Sequence, residues 1–265
     1  GATSLLIVGD PMARPLIDEL EAHPRPLEEV RHILSGGAVL SPTSKARLQR
    51  LLPGVTILDV LGSTESGRQG VATTAPGGDT SASFKPSATT TVLAADLSRR
   101  LDAHDPGVGW LAQGGRVPLG YLGDPEKTDS TFPEIAGERF AVAGDRARWL
   151  PDGTVELLGR DSVCINTGGE KVFAEEVETA IKTHPDVYDA VVCGRPSDRW
   201  GEEVVAIVAV RDGTRPSDAD LLEAAGAHIA HYKLPKEVLR VGSVLRSPSG
   251  KADYRWARAQ ATASG

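Results

Sequence analysis

Over residues 5–61, short continuous apolar runs alternate with longer stretches whose apolar residues recur every three or four positions. The runs at 5–8, 30–34 and 55–61 predict buried strands, and the periodic stretches between them predict helices, the pattern of a parallel sheet with covering helices. The first helix, at 11–21, places Leu16, Ile17 and Leu20 on one face and is expected to hold Pro15 only in its first turn. The second opens at Ser41-Pro42 and carries Ala46, Leu48, Leu51 and Leu52. Two loops of small and hydroxyl residues, Ser35-Gly36-Gly37-Ala38 and Gly62-Ser63-Thr64-Glu65-Ser66, leave consecutive strand ends at the edge where open α/β sheets bind ligands.

The pattern then changes twice. Residues 74–86 are Thr, Ser, Ala, Gly and Pro in the main and predict a loop, after which helical periodicity disappears. Short runs at 90–93, 109–113, 140–142, 147–150 and 154–158 predict a small antiparallel, barrel-like β body. A polar link, Arg160-Asp161-Ser162, follows, and a short strand at 163–165 runs towards paired glycines, Gly168-Gly169, the tip of a hairpin. Beyond it the order is α+β. Val177, Ala180 and Ile181 stripe a helix ended by Pro185; 187–193, 204–210 and 238–241 read as strands; Ser217 to Asp220 resembles a capping box before a helix at 221–230. A polar loop, 246–251, precedes a terminal helix. The expected domains are 1–86, a partial α/β subdomain; 87–159, antiparallel β; and 160–265, a mobile α+β domain hinged near Ser162.

The 265 residues carry a formal charge of −7 and no run of Lys and Arg, which excludes the basic stripe of a nucleic-acid surface. Both cysteines, Cys164 and Cys193, lie in apolar runs and are expected to be core thiols, consistent with a reducing compartment. No stretch reaches the apolar length of a membrane span, so a cytoplasmic location is expected, with peripheral membrane association left open. Among the six histidines only His228 and His231 lie one turn apart, on a predicted helix where they read as solvated rather than as metal ligands. Because the chain enters an apolar strand after four residues, a piece of a longer polypeptide is expected.

Taken singly, each glycine or hydroxyl loop is an ordinary turn. Their order is more specific: Ser35-Gly36-Gly37-Ala38, Gly62-Ser63-Thr64-Glu65-Ser66, Gly120-Tyr121 with Pro125-Glu126-Lys127-Thr128, Gly144-Asp145, Asp152-Gly153, Gly159-Arg160, Gly168-Gly169-Glu170 and Pro248-Ser249-Gly250-Lys251. This series resembles the adenylate-forming superfamily of acyl-CoA synthetases, adenylation domains and luciferases, and the wording around Cys164 to Lys171 resembles actinobacterial fatty-acyl-CoA ligases.

The resemblance implies activation of a carboxylic acid with ATP to acyl-AMP, followed by transfer to coenzyme A. It implies that Gly36, Gly37 and Ala38, with Gly62 and Ser63, border the nucleotide, that Thr64 bonds the α-phosphate and that Glu65 holds Mg²⁺. Asp145 and Arg160 would contact the ribose, and Lys251 would act in adenylation. Ser162 would be the hinge, and Thr167, Gly168 and Gly169 would border the pantetheine path. The sequence departs from the family pattern in three places: the upstream phosphate-gripping loop is not found, Leu61 replaces an aromatic residue, and Ser162 stands where Asp or Lys is common. The expected partners are therefore a small carboxylic acid, ATP, coenzyme A and an amino-terminal part of the same enzyme. An enzyme that loads a carrier protein and a non-catalytic nucleotide-binding module remain as alternatives, and the sequence does not specify the acid.

Overall fold

The computed structural model describes residues 1–80 and 83–263, in two compact units, Gly1–Leu157 and Leu158–Gly265. Residues 81 and 82 of the expected loop, and residues 264 and 265 of the expected third domain, lie outside the described residues.

Unit 1 begins β1 (Ser4–Ile7), α1 (Gly9–Ala22), β2 (His32–Gly36), α2 (Pro42–Leu51) and β3 (Thr56–Ser63). These are the predicted strand–helix alternations, and β1, β2 and β3 pair in parallel. Their apolar residues, Ile7, Ile33 and Ile57, pack with Ala13, Ile17 and Leu20 of α1 and Leu48 of α2; burying one such large side chain stabilises by about 1.5–3 kcal/mol. Ser41 caps α2, its hydroxyl accepting from the Ser44 N–H at 3.2 Å, with Pro42 at the first helical position. Pro15, however, lies inside α1 and not in its first turn. The helix starts at Gly9, ahead of its apolar stripe, because the Asp10 N–H is bonded to the Val39 carbonyl at 2.9 Å, a contact across the sheet edge that periodicity does not reveal.

The chain continues through β4 (Gly67–Thr74), β5 (Ser83–Pro86), β6 (Thr90–Leu93), β7 (Arg100–Leu101), β8 (Gly109–Gln113), α3 (Pro125–Thr131), β9 (Glu134–Ile135), β10 (Glu138–Arg139), β11 (Asp145–Trp149) and β12 (Val155–Arg160). β9 and β10 form a separate two-stranded hairpin, and the others among β1 to β12 run in the order β1-β2-β3-β4-β5-β12-β11-β8-β6-β7. The fold class is mixed α/β as expected, but the antiparallel strands form an open sheet continuous with the parallel ones, not a closed barrel. Three local expectations are corrected. Residues 83–86 of the expected loop are strand β5, residues 140–142 make only an isolated bridge, Gln113 to Ala141, and residues 125–131 are helical. Helix α3 buries none of its residues, so it has no apolar face for periodicity to detect; Asp124 caps it, accepting from the Lys127 N–H at 3.0 Å.

Unit 2 contains β13 (Cys164–Thr167), β14 (Glu170–Phe173), α4 (Ala174–Ile181), β15 (Val187–Ser197), β16 (Gly201–Val210), α5 (Asp218–Gly226), β17 (Glu237–Arg240) and α6 (Tyr254–Ala263), with 3-10 turns at Asp161–Val163 and His231–Lys233. Strands β15 and β16 pair antiparallel through most of their length. Ala190, Val192, Val204, Ala206 and Val208 face α4 and α5, whereas Val191, Cys193, Val205 and Ile207 face Ala257 and Ala261 of α6. Since successive strand residues point to opposite faces, a sheet covered on both sides must read as an unbroken apolar run.

Ser217 and Asp220 form the predicted capping box. The helix they cap ends at Gly226 rather than at 230, so His228 and His231 do not share a helix; both are exposed. Cys193 is buried as expected, and burial pushes its thiol up to about 11. Cys164 is only half-buried, because it stands at the start of a strand leaving the exposed polar link. No described helix is long and apolar enough to cross a membrane.

Candidate active site

In unit 1 the parallel register aligns Gly36 with Val60, so the Gly36-Gly37-Ala38 loop and the Gly62-Ser63-Thr64-Glu65 segment leave adjacent strands on the same edge. The sequence folds tightly there. Ser63 and Ser66 exchange bonds: the Ser63 N–H donates to Ser66 Oγ and the Ser66 N–H to Ser63 Oγ, each at 3.2 Å. A register shift between Leu61 and Gly62 carries β3 into this turn. A Cβ on Gly62 would stand 2.2 Å from the Gly67 carbonyl oxygen, so only glycine fits the backbone as it lies. Thr64 is exposed at the turn and Glu65 is half-buried beside it.

The Tyr121 hydroxyl donates to Glu65 Oε1 at 2.7 Å. That carboxylate raises the phenol above its usual pKa, and Lys127 Nζ lies 4.1 Å from the centre of the Tyr121 ring. Asp145 is half-buried at the start of β11, with β4, β5 and β12 between it and β3 along the sheet.

Beneath the glycine loop lies a buried polar group that sequence reasoning missed. Asp10, only 1% exposed, accepts from both the N–H and the hydroxyl of Ser41 at 2.9 Å and from Arg14 at 2.9 Å. Lys45 is fully buried with Nζ 3.1 Å from Asp59, whose carboxyl is held above its usual range by burial against the pull of Lys45. Asp10 thus ties the start of α1 to the loop that carries Gly37 and Ala38. Its signal in sequence was a lone Gly-Asp after the first strand, too short to stand out.

In unit 2, Arg160 ends β12, exposed, and its N–H donates to Glu175 Oε1 at 3.3 Å. Ser162 is exposed at the middle of the 3-10 turn. β13 and β14 pair from Cys164↔Phe173 to Thr167↔Glu170, leaving Gly168 and Gly169 as a two-residue turn with φ of +59° and +87°. Two successive positive φ values favour glycine at both positions. Thr167 is buried, and the glycines are exposed. Lys251 is exposed at the end of a tied loop in which Ser247 N–H donates to the Lys251 carbonyl at 2.8 Å.

Comparison with known proteins bears on these loops directly. The chain is 52% identical over 255 residues to the medium-chain acyl-CoA ligase Mig of Mycobacterium avium, covering 96% of this chain and 46% of that protein. It is 43% identical over 261 residues to a medium/long-chain-fatty-acid–CoA/3-oxocholest-4-en-26-oate–CoA ligase of Mycobacterium tuberculosis, covering 98% and 48%. Residues 176–251 match the family model of the AMP-binding enzyme C-terminal domain. Over those residues the chain carries the AMP-binding enzyme C-terminal domain, and along nearly its whole length it is similar to acyl-CoA ligases.

Among solved structures, ATP-bound MatB of Rhodopseudomonas palustris is similar with a TM-score of 0.80 at 26% identity, over 98% of this chain and 51% of that one. A stretch of 145 residues, 54% of this chain, is 38% identical to surfactin synthase subunit 1 of Bacillus subtilis, 4% of which it covers. The chain spans about half the length of the acyl-CoA ligases it matches.

Proposed function

We propose that this chain is the carboxy-terminal part of an AMP-forming acid–CoA ligase acting on a fatty or sterol-derived carboxylic acid. In the first step a carboxylate oxygen attacks the α-phosphorus of ATP, the bond to the pyrophosphate oxygen breaks, and acyl-adenylate forms. In the second, the coenzyme A sulfur attacks the acyl carbonyl, its proton passes to solvent and AMP leaves. What supports this reading above all is similarity along nearly the whole chain to relatives described as acyl-CoA ligases.

The residue roles follow the chemistry each side chain offers. Gly36, Gly37, Ala38, Gly62 and Ser63 leave backbone close to a nucleotide at a strand edge, the place an α/β sheet offers one. Thr64 donates its hydroxyl to the α-phosphate. Asp145, an acceptor-only carboxylate, takes the ribose hydroxyls, and Arg160 adds a charged donor. Glu65 suits Mg²⁺, which is commonly held by one or two carboxylates together with substrate phosphates. When bound, that ion neutralises phosphate charge. Lys251 supplies positive charge where negative charge develops during adenylation, and the Thr167-Gly168-Gly169 turn leaves room for the pantetheine arm in the second step. The exchange between these two loops of unit 2 uses the link at Ser162.

The test is made on the complete enzyme with medium- and long-chain acids. Acid-dependent ATP–pyrophosphate exchange, followed by thioester formation with coenzyme A, is the expected result; absence of exchange with every acid tested overturns the reading. Lys251→Ala is expected to lower adenylation on the order of 10²–10³-fold while sparing thioester formation from supplied acyl-adenylate. Competition between coenzyme A and a pantetheinylated carrier as acceptor separates this reading from the alternative of transfer to a carrier protein.

A further inference from the structure

Lys251 follows a loop that is closed on itself and anchored at both ends. Arg246 and Ala252 form an antiparallel bridge. Inside it, the Gly250 N–H donates to the Ser247 carbonyl at 2.8 Å and the Lys251 N–H donates to Ser247 Oγ at 3.2 Å. The Arg246 guanidinium then reaches out of the loop. Its Nε and Nη2 donate to Asp189 Oδ2 and Oδ1, each at 2.7 Å, and Nη1 donates back to the Gly250 carbonyl at 3.2 Å.

Asp189 is 6% exposed and sits on β15, the strand that ends the order of the unit 2 sheet, where the register shifts after Val187. Beyond the lysine, α6 opens at Tyr254, whose hydroxyl donates to the buried Glu178 Oε1 at 3.1 Å; Glu178 also accepts the Val192 N–H at 3.0 Å. Both flanks of Lys251 are therefore fastened to β15, one directly at Asp189 and the other through Glu178, which accepts from Val192.

We propose that Asp189 and Arg246 are positioning residues for Lys251, holding the loop in one backbone arrangement so that the ammonium group is delivered ready-placed to the adenylation chemistry. This rests on the role proposed above for Lys251. A two-point guanidinium–carboxylate pair fixes orientation as well as position. Its net contribution to stability, by contrast, is small beside well-packed apolar side chains. The third guanidinium contact, to the carbonyl of the residue just before Lys251, links the position of a sheet residue to the lysine backbone. Catalytic groups misplaced by about 1 Å lose on the order of 10²-fold in rate, so loosening this link is expected to be felt in the step that uses the lysine.

The experiment compares Asp189→Asn, Arg246→Gln and Arg246→Lys with Lys251→Ala in the complete enzyme. Adenylation at saturating substrates, thioester formation from supplied acyl-adenylate, the KM for ATP and the melting temperature are measured for each. The expected result is a fall in adenylation kcat of about 10–10²-fold with KM for ATP and the thioester step near wild type. Arg246→Lys keeps the charge but loses the fork and the Gly250 contact, and is expected to remain impaired in adenylation while holding its melting temperature.

Amide exchange gives a readout independent of turnover: Gly250 and Lys251 should exchange at least about tenfold faster in Arg246→Lys, with Val191 and Val192 of β15 unchanged. If Asp189→Asn fails to fold, the Arg246→Lys comparison still decides. Wild-type adenylation in the Asp189 and Arg246 variants, with Lys251→Ala impaired, overturns this inference alone. Equal loss in both half-reactions together with a lowered melting temperature also overturns it, since that is the mark of general destabilisation. Wild-type adenylation in Lys251→Ala overturns the underlying reading and this inference with it.

Discussion

Two residues, Glu178 and Gly62, carry consequences that a pH or stability measurement reads directly. Burial raises the carboxyl pKa of Glu178 above 4.5, opposed by Lys182 on its own helix, the Val192 N–H on β15, Arg246 in the lysine loop and the Tyr254 hydroxyl on α6. A folded-state pKa above the unfolded value favours the fold while the group is protonated. The contribution is present below the unfolded value and is lost as pH rises through the folded one. Glu178→Gln keeps a carbonyl to accept from Val192 and Tyr254 but does not ionise. Its melting temperature is therefore expected to rise relative to wild type as pH increases from the ordinary carboxylate range, about pH 4, through the raised value in the fold; a difference that stays constant with pH would mean the carboxyl titrates normally. Gly62 is a steric case. Alanine there must push the Gly67 carbonyl away from 2.2 Å, and an unfolding free energy lowered by about 1–3 kcal/mol is expected in denaturant titration. The same displacement moves the turn that holds Thr64 and Glu65, so the affinity for nucleotide is expected to fall with it.

At the scale of elements, α1 is longer than its pattern because a contact from another part of the sheet pins its start. Pro15 then falls where its ring removes a helix hydrogen bond, at a cost of about 3 kcal/mol in an interior position. The residue is exposed, so Pro15→Ala is expected to stabilise the protein by about 1–3 kcal/mol without touching the core, as the midpoint of urea unfolding would register. Unchanged or lowered stability would show that α1 is already kinked to suit the ring. The hairpin at Gly168-Gly169 was legible in the sequence because a two-residue turn needs two residues at positive φ and paired glycines are the plainest way to supply them. Helix α3 was not legible: with every residue on the surface, only Asp124 and Pro125 marked its start, and these read equally well as a turn.

At the scale of the whole molecule, the polar link between the two units is where the proposed exchange of loops is tested. Ser162 stands second in the 3-10 turn Asp161–Val163, and proline there would disfavour the helical backbone of Asp161 before it. Ser162→Pro is expected to leave the melting temperature within a few degrees of wild type and to change the ratio of adenylation to thioester formation. At Gly169 an added Cβ meets no neighbour, although the φ of +87° strains any side chain there; Gly169→Trp is expected to block the thioester step by filling the proposed pantetheine path while sparing adenylation, and thioester formation at wild-type rate in both variants would remove this link and turn from the mechanism. By itself the sequence determined the elements whose residues must be apolar on one or both faces, the turns that need glycine, and the family, because short-range periodicity, positive φ and an ordered series of motifs are local properties. The tertiary structure alone decided that the parallel and antiparallel strands share one open sheet, that Tyr121 meets Glu65, that Asp10 fastens the glycine loop and that Asp189 holds Arg246. These pairs lie tens of residues apart in the chain, and a lone carboxylate carries no sign of its partner until strand register and helix packing bring the two within hydrogen-bonding distance.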